Sequence, residues 1–249
     1  LVLCEKFVGT DIFKVRQELA KTWKYNDCQI GRLCQFDNSF SQYEGNSSQD
    51  MASLRTQIEK IMSRTYTICD TSKPKAVKIT NQNLHRDVDI VTSSWFQSLD
   101  YVLDGMPENE RGIKIYNKST GLSEGPDYPF LSISRINQRS ADTNGRLKRM
   151  IRFLKNVRTD SEKDIPLTSF EINAICYSIP VQDYVQKEYK DLVYILWHTM
   201  FHLWNDGKQD DLKSVVGNEY VFKDKPEKLA ALKVLEDEVY KINKDLGNI

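Results

Sequence analysis

The sequence lacks several features that would assign it to a class at once. It has 249 residues with 35 Lys plus Arg and 35 Asp plus Glu, so no excess of either charge predicts a nucleic-acid partner. The five cysteines are odd in number and form no Cys-x-x-Cys pair, which favours reduced thiols in a cytoplasmic protein over a disulfide framework. No apolar run is long enough to cross a bilayer, so no membrane partner is predicted.

Three common catalytic motifs are also absent. The chain has no Gly-x-Ser-x-Gly nucleophile turn, no Walker phosphate loop and no Rossmann glycine fingerprint. Hydrolase and dehydrogenase functions therefore have little support.

The secondary-structure pattern changes along the chain. Up to about residue 117, strand-like alternation mixes with helical segments, and residues 35–50 are polar and loop-like. Residues 119–129 have the composition of turns, and mainly helical patterns follow. We therefore predict an α+β fold with two parts: a mixed sheet with flanking helices at 1–117, and a helical subdomain at 118–249.

The first residues, LVLCEKF, have the pattern of a buried strand. Natural termini are usually exposed. We therefore expect residues ahead of Leu1 in the natural protein.

The segment HRDVDIV holds two carboxylates, Asp87 and Asp89, on a predicted strand. Residues two apart on a strand point to the same face. A pair of carboxylates on one face could hold Mg²⁺, which prefers oxygen ligands, but it is also typical of a solvated strand face.

The predicted helix from Asp142 to Arg158 carries six cations and no acid after its cap. They are Arg146, Lys148, Arg149, Arg152, Lys155 and Arg158. Most of these side chains are explained by a helix face that is exposed to solvent. Lys155 lies near the apolar stripe and could reach an anionic ligand.

His198 and His202 stand four apart on a predicted aromatic helix, the spacing of a metal pair. No third ligand is apparent nearby in the sequence. We therefore interpret them as partly buried helix residues.

The order of these parts resembles the DNA polymerase β-type nucleotidyltransferases. After LVLCEKF and two helices come HRDVDIV, IKIYN, YPF, RLKRMIRFLKNVR and PLTSFEINAICY. The order is most similar to the bacterial cGAS/DncV-like group, which is related to oligoadenylate synthetases. The resemblance covers most of residues 1–200.

In that family a Gly-Ser turn and an Asp-x-Asp strand contact triphosphate and metal, and a later strand adds a third carboxylate. No Gly-Ser turn precedes HRDVDIV, so the resemblance makes Asp89 the third carboxylate, a catalytic residue and metal ligand that could act as general base. Asp87 becomes an accessory metal ligand, and the first acid pair would lie just before Leu1. Lys155 in IRFLKNV and Ser169 in SFEI match the family's nucleotide-binding residues.

The resemblance implies a nucleotidyltransferase that depends on Mg²⁺ or Mn²⁺ and uses ATP, GTP or both. Its product would be a cyclic or linear oligonucleotide second messenger in anti-phage signalling, and a regulatory protein partner is a further expectation. Two alternatives stay open. One is a catalytically degenerate member that binds nucleotide or a partner, and the other is a template-independent RNA nucleotidyltransferase.

Overall fold

A computed structural model of the protein describes residues 1–83 and 86–247. The chain forms two compact units, one from Leu1 to Leu131 and one from Ser132 onward. The division lies inside the helix Pro129–Asp142, later in the chain than the boundary predicted at residue 117.

The first unit is built around a sheet of six strands within the described residues. They are β1 (Val2–Thr10), β2 (Cys69–Asp70), β3 (Ala76–Asn81), β4 (Arg86–Gln97), β5 (Gly112–Asn117) and β6 (Leu122–Asp127). The order is β2-β3-β4-β5-β6, and β1 pairs with β4 in parallel. The first half of β4 pairs antiparallel with β3, while its second half lies between β1 and β5. The predicted carboxylate hairpin is thus part of the sheet.

The helices of the first unit are α1 (Ile12–Leu19), α2 (Asp27–Ser39), α3 (Ser47–Thr65) and α4 (Leu99–Leu103). The loop predicted at 35–50 is wrong at both ends, because α2 continues to Ser39 and α3 begins at Ser47. Leu33 and Phe36 of α2 are buried in a cluster with α1 and α4, and this packing outweighs the polar local sequence.

The turn predicted at 119–129 is also wrong, because Leu122–Asp127 forms strand β6. This strand pairs only with β5 in the described sheet, so it is an edge strand. An edge strand tolerates Pro126, which cannot donate a backbone hydrogen bond.

The second unit is helical. Its helices are α5 (Pro129–Asp142, which begins in the first unit), α6 (Arg146–Asp160), α7 (Ser169–Ser178), α8 (Val181–Tyr184), α9 (Tyr189–Asn205) and α10 (Pro226–Asp245). Leu147 and Leu154 of α6, Ile172 of α7, Leu196 of α9 and Leu235 of α10 lie in one buried core. The α+β fold class predicted from the sequence is confirmed. No helix in 1–83 or 86–247 is long and apolar enough to cross a membrane.

Candidate active site

The two carboxylates of HRDVDIV lie on the half of β4 that pairs with β3. The register sets Thr80 opposite Asp87 and Lys78 opposite Asp89. Both aspartate side chains are more than half exposed. The strand therefore presents two neighbouring carboxylates to solvent on one face, as the sequence predicted.

Both carboxylate oxygens of Asp87 contact side chains of the neighbouring strand β3. The Thr80 hydroxyl donates a hydrogen bond of 2.7 Å to its Oδ1, and Lys78 Nζ lies 2.6 Å from its Oδ2. These contacts, first with Lys78 and then with Thr80, hold the pKa of Asp87 below its usual value. Both of its oxygens thus have partners on β3.

Asp89 differs from its neighbour in this respect. Its nearest cation is Lys73, whose Nζ lies 3.5 Å from Oδ1, at the edge of hydrogen-bonding distance. Its Oδ2 has no hydrogen-bond donor in the described part of the chain. Asp89 is consequently the carboxylate of the two with free capacity to bind a ligand.

The described residues do not complete a metal site by themselves. Residues 1–83 and 86–247 contain no group of three or more His, Cys, Asp or Glu side chains placed to hold one metal ion. Mg²⁺ takes six oxygen ligands in octahedral geometry, several of which are usually waters or substrate phosphates. Asp89 could supply one such ligand, while Asp87 would first have to leave Lys78 and Thr80.

Lys155 lies in the second unit on α6, beside the buried core. Its side chain is partly buried and makes no hydrogen bond or ion pair with the described residues. Burial, followed by the positive charge of Arg158, lowers the pKa of its ammonium group. A partly desolvated cation without a counter-charge is a favourable place for an anionic ligand.

Two other cations of α6 have structural contacts instead. Arg158 Nη1 donates a hydrogen bond of 2.7 Å to the carbonyl of Leu167, and Arg146 Nε donates one of 3.2 Å to the carbonyl of Lys187. Arg158 and Arg146 therefore have structural contacts, and Lys155 remains the candidate for binding an anionic ligand.

Ser169 is the exposed first residue of α7. Thr168 precedes it as the helix cap, and the Thr168 backbone N–H donates a hydrogen bond of 2.6 Å to Oε2 of Glu171. This capping box fixes the start of the helix, where backbone N–H groups favour anions. Its Thr-x-x-Glu spacing is a sequence signal that our sequence reasoning did not use.

The two histidines of α9 differ in burial and in contacts. His198 is exposed, and His202 Nδ1 lies 2.9 Å from Oδ2 of Asp206, a residue that the sequence reasoning overlooked. The three residues are spaced at four-residue intervals, but they form no metal-holding group among the described residues. The interpretation as partly buried helix residues is wrong for His198, whereas His202 is partly buried as predicted.

A sheet that carries carboxylates and a helical unit are the parts that the resemblance to nucleotidyltransferases predicted. A family profile for the cGAS/DncV-like nucleotidyltransferase C-terminal helical domain matches residues 134–243. The chain is 68% identical over 247 residues to a c-di-GMP synthase from Lachnospiraceae bacterium (strain RUG226), an alignment that covers 99% of this chain and 71% of that protein.

Two solved structures are also similar. The structure of a STING-associated CdnE c-di-GMP synthase from Flavobacteriaceae sp. matches with a TM-score of 0.84 and 36% identity, over 99% of this chain and 70% of that one. A STING-associated CdnE c-di-GMP synthase from Capnocytophaga granulosa matches with a TM-score of 0.71 and 45% identity, over 82% of this chain and 65% of that one.

The chain belongs to the cGAS/DncV-like nucleotidyltransferases. The predicted family, fold class and enzyme class are thereby confirmed. The predicted synthesis of a nucleotide second messenger agrees with the c-di-GMP synthase names of these relatives.

Proposed function

We propose that this protein makes c-di-GMP from two molecules of GTP. The support is the 68% identity to a c-di-GMP synthase along nearly the whole chain. In this reaction a ribose hydroxyl of each GTP attacks the α-phosphate of the other. Two phosphodiester bonds form, and two pyrophosphates leave.

Asp89 is the residue that we propose as the catalytic carboxylate. The single observation that carries this assignment is that Asp89 Oδ2 has no hydrogen-bond donor in the described residues, whereas both carboxylate oxygens of Asp87 have partners.

Mg²⁺ or Mn²⁺ is the proposed cofactor, with Asp89 as one of its ligands. When bound, such an ion would stabilise negative charge on the reacting phosphate. Asp89 would also be placed to accept the proton of the attacking hydroxyl.

Lys155 and Ser169 are the proposed triphosphate contacts. The ammonium of Lys155 is partly buried and without a partner in the described structure, so a phosphate oxygen would relieve the cost of its burial. Ser169 offers its hydroxyl and a backbone N–H at the start of α7, where the helix dipole favours anions.

Product analysis of the full-length protein tests this proposal. The protein is incubated with Mg²⁺ and GTP, ATP or both, and the products are separated and identified by mass spectrometry. We expect c-di-GMP from GTP alone and no added product from ATP. A mixed or linear product as the main species would contradict the c-di-GMP assignment.

The degenerate alternative gives a different result in the same assay. It predicts GTP binding that weakens on Lys155→Met, without turnover at any Mg²⁺ or Mn²⁺ concentration. An RNA nucleotidyltransferase would instead extend an added RNA primer. The anti-phage role, the cytoplasmic location and the regulatory protein partner stay predictions.

A further inference from the structure

Two histidines and an aspartate follow one another along the last turns of α9. His198 and His202 are four residues apart, so they are neighbours on one face of the helix, and Asp206 caps the helix end four residues further on. An open surface cavity of about 430 Å³ lies over them, lined by His198, Thr199, His202, Leu203, Asp206 and Lys208. These residues include neither of the proposed triphosphate contacts.

The two imidazole rings are close enough to share one ion. Their centroids are 4.2 Å apart, and the ring planes are tilted by 56°. A bond from a histidine nitrogen to a metal ion is about 2.0–2.1 Å long, so two nitrogens on one ion lie at most about 4 Å apart. The ring spacing is compatible with that limit. His198 is exposed, so its ring can rotate toward a shared ion.

Asp206 determines which nitrogen of His202 is available. His202 Nδ1 lies 2.9 Å from Oδ2 of Asp206, and this hydrogen bond is the main cause that holds the pKa of Asp206 below its usual value. An ionised carboxylate only accepts hydrogen bonds, so Nδ1 carries the proton and Nε2 of the neutral ring keeps its lone pair. Carboxylates commonly orient metal-binding histidines in this way. Asp206 is thus a positioning residue and not a third ligand.

The donor atoms select the class of ion. Imidazole nitrogen binds Ni²⁺, Cu²⁺ and Zn²⁺, whereas Mg²⁺ prefers oxygen ligands. Lys208 opposes a cation here, since its Nζ lies 3.3 Å from the same oxygen of Asp206 that contacts His202. The side chain of Lys208 is well exposed, so its charge is screened by water and salt.

We propose that His198 and His202 bind one divalent transition-metal ion, with Asp206 orienting the ring of His202. Each histidine supplies one ring nitrogen, and water molecules fill the remaining coordination positions. The ion would link two successive turns of α9 and stabilise the end of the helix. The proposal uses no residue assigned to catalysis and is independent of the product proposed above.

Calorimetric titration of the full-length protein with Ni²⁺ in excess Mg²⁺ tests this proposal. Mg²⁺ saturates the oxygen ligands, and Ni²⁺ favours imidazole over thiolate. We expect saturable binding of one equivalent, at least about tenfold weaker in His198→Gln and in His202→Gln, because each variant loses the second linked ligand. Asp206→Ala should weaken binding about tenfold. His85→Gln removes the third histidine of the sequence and is the matched control, which should bind Ni²⁺ as the wild type does.

Thermal unfolding separates loss of binding from misfolding. Because His198 is exposed, metal-free His198→Gln should unfold at the wild-type temperature. Ni²⁺ should raise the unfolding temperature of the wild type and of His85→Gln, but not that of His198→Gln, because the ion binds the folded pair. Absence of saturable binding, equal affinity in His198→Gln and the wild type, or loss of binding in His85→Gln would overturn the proposal. Unchanged affinity in Asp206→Ala would overturn the orienting role of Asp206.

Discussion

Lys73 Nζ lies 3.5 Å from Oδ1 of Asp89 on the exposed face of the β3–β4 hairpin. The contact is long for an ion pair, and both side chains are well exposed, so it contributes little to stability. Its importance is electrostatic, because it places a positive charge next to the carboxylate that we propose as catalytic. A metal ion that binds Asp89 would experience repulsion from Lys73.

The first prediction concerns this repulsion. Lys73→Met should lower the Mg²⁺ concentration for half-maximal activity about two- to threefold at low salt, because one positive charge leaves the vicinity of Asp89. Initial rates of pyrophosphate release over a Mg²⁺ series measure the change. Lys73→Arg, which keeps the charge, is the matched control. A higher Mg²⁺ requirement in Lys73→Met alone would show that Lys73 assists the reaction.

The second prediction sets stability against function at Lys155. Lys155→Met keeps an unbranched side chain of similar length and removes a partly buried charge. The variant should therefore unfold at the same temperature or a few degrees higher. GTP affinity should fall at least about tenfold, since a charge-assisted contact is lost. Arg152→Met, at an exposed position on the same helix, should change neither quantity.

The pH dependence of Lys155 has a defined sign. Its pKa is lowered on folding, so the cost of the buried charge is fully present below the folded pKa, decreases as pH rises above it, and is gone above the unfolded pKa. The stability difference between Lys155→Met and wild type should therefore shrink toward pH 10. A difference that grows with pH would contradict this assignment.

The third prediction concerns Glu171, whose carboxylate accepts hydrogen bonds from Thr168 at the start of α7. Burial raises its pKa, but hydrogen bonds from Thr168 and the contact of 3.2 Å with Lys228 lower it overall. Glu171→Gln should reduce the free energy of unfolding by about 1–2 kcal/mol at pH 7. Because the folded pKa is lowered, this loss should diminish as pH falls below 4.5.

Urea unfolding at pH 7 and pH 3 measures that difference. Glu162→Gln, at an exposed position ahead of α7, is the control and should remain close to wild type at both pH values. An equal effect of Glu171→Gln at the two pH values would mean that its ionised carboxylate does not stabilise the helix start.

The fourth prediction concerns the cysteines, all five of which are free thiols in the structure. Cys28 and Cys34 are exposed, whereas Cys176 is fully buried on α7 and burial raises its pKa. Iodoacetamide at pH 8 should modify Cys28 and Cys34 rapidly, and Cys176 only at the rate of unfolding. Peptide mass spectrometry over time would reveal the order. Early modification of Cys176 would place it outside the core.

The sequence predicted elements with strong local patterns better than those that depend on packing. The alternation of Val77 and Ile79 predicted β3, and Pro226 marked the start of α10. Helix α2 was missed, because it depends on the burial of Leu33 and Phe36 against other helices. Such long-range contacts leave no local pattern.

The candidate site was predictable in its residues but not in their contacts. The strand period put Asp87 and Asp89 on one face, and the resemblance to the family ranked Asp89 first. Only the β3–β4 register reveals that Lys78 and Thr80 occupy Asp87 while Asp89 keeps a free oxygen. That register depends on cross-strand pairing, which the sequence of one strand does not contain.

The central claim is that Asp89 is catalytic and that Asp87 supports the hairpin. The most direct measurement compares initial rates of c-di-GMP formation from GTP by full-length Asp89→Asn and Asp87→Asn, with thermal unfolding to verify the fold of each. We predict at least about a hundredfold loss for Asp89→Asn, equivalent to several kcal/mol of charge stabilisation, and a rate within about threefold of wild type for Asp87→Asn. Equal losses in both variants, or a near-normal rate in Asp89→Asn, would contradict the claim.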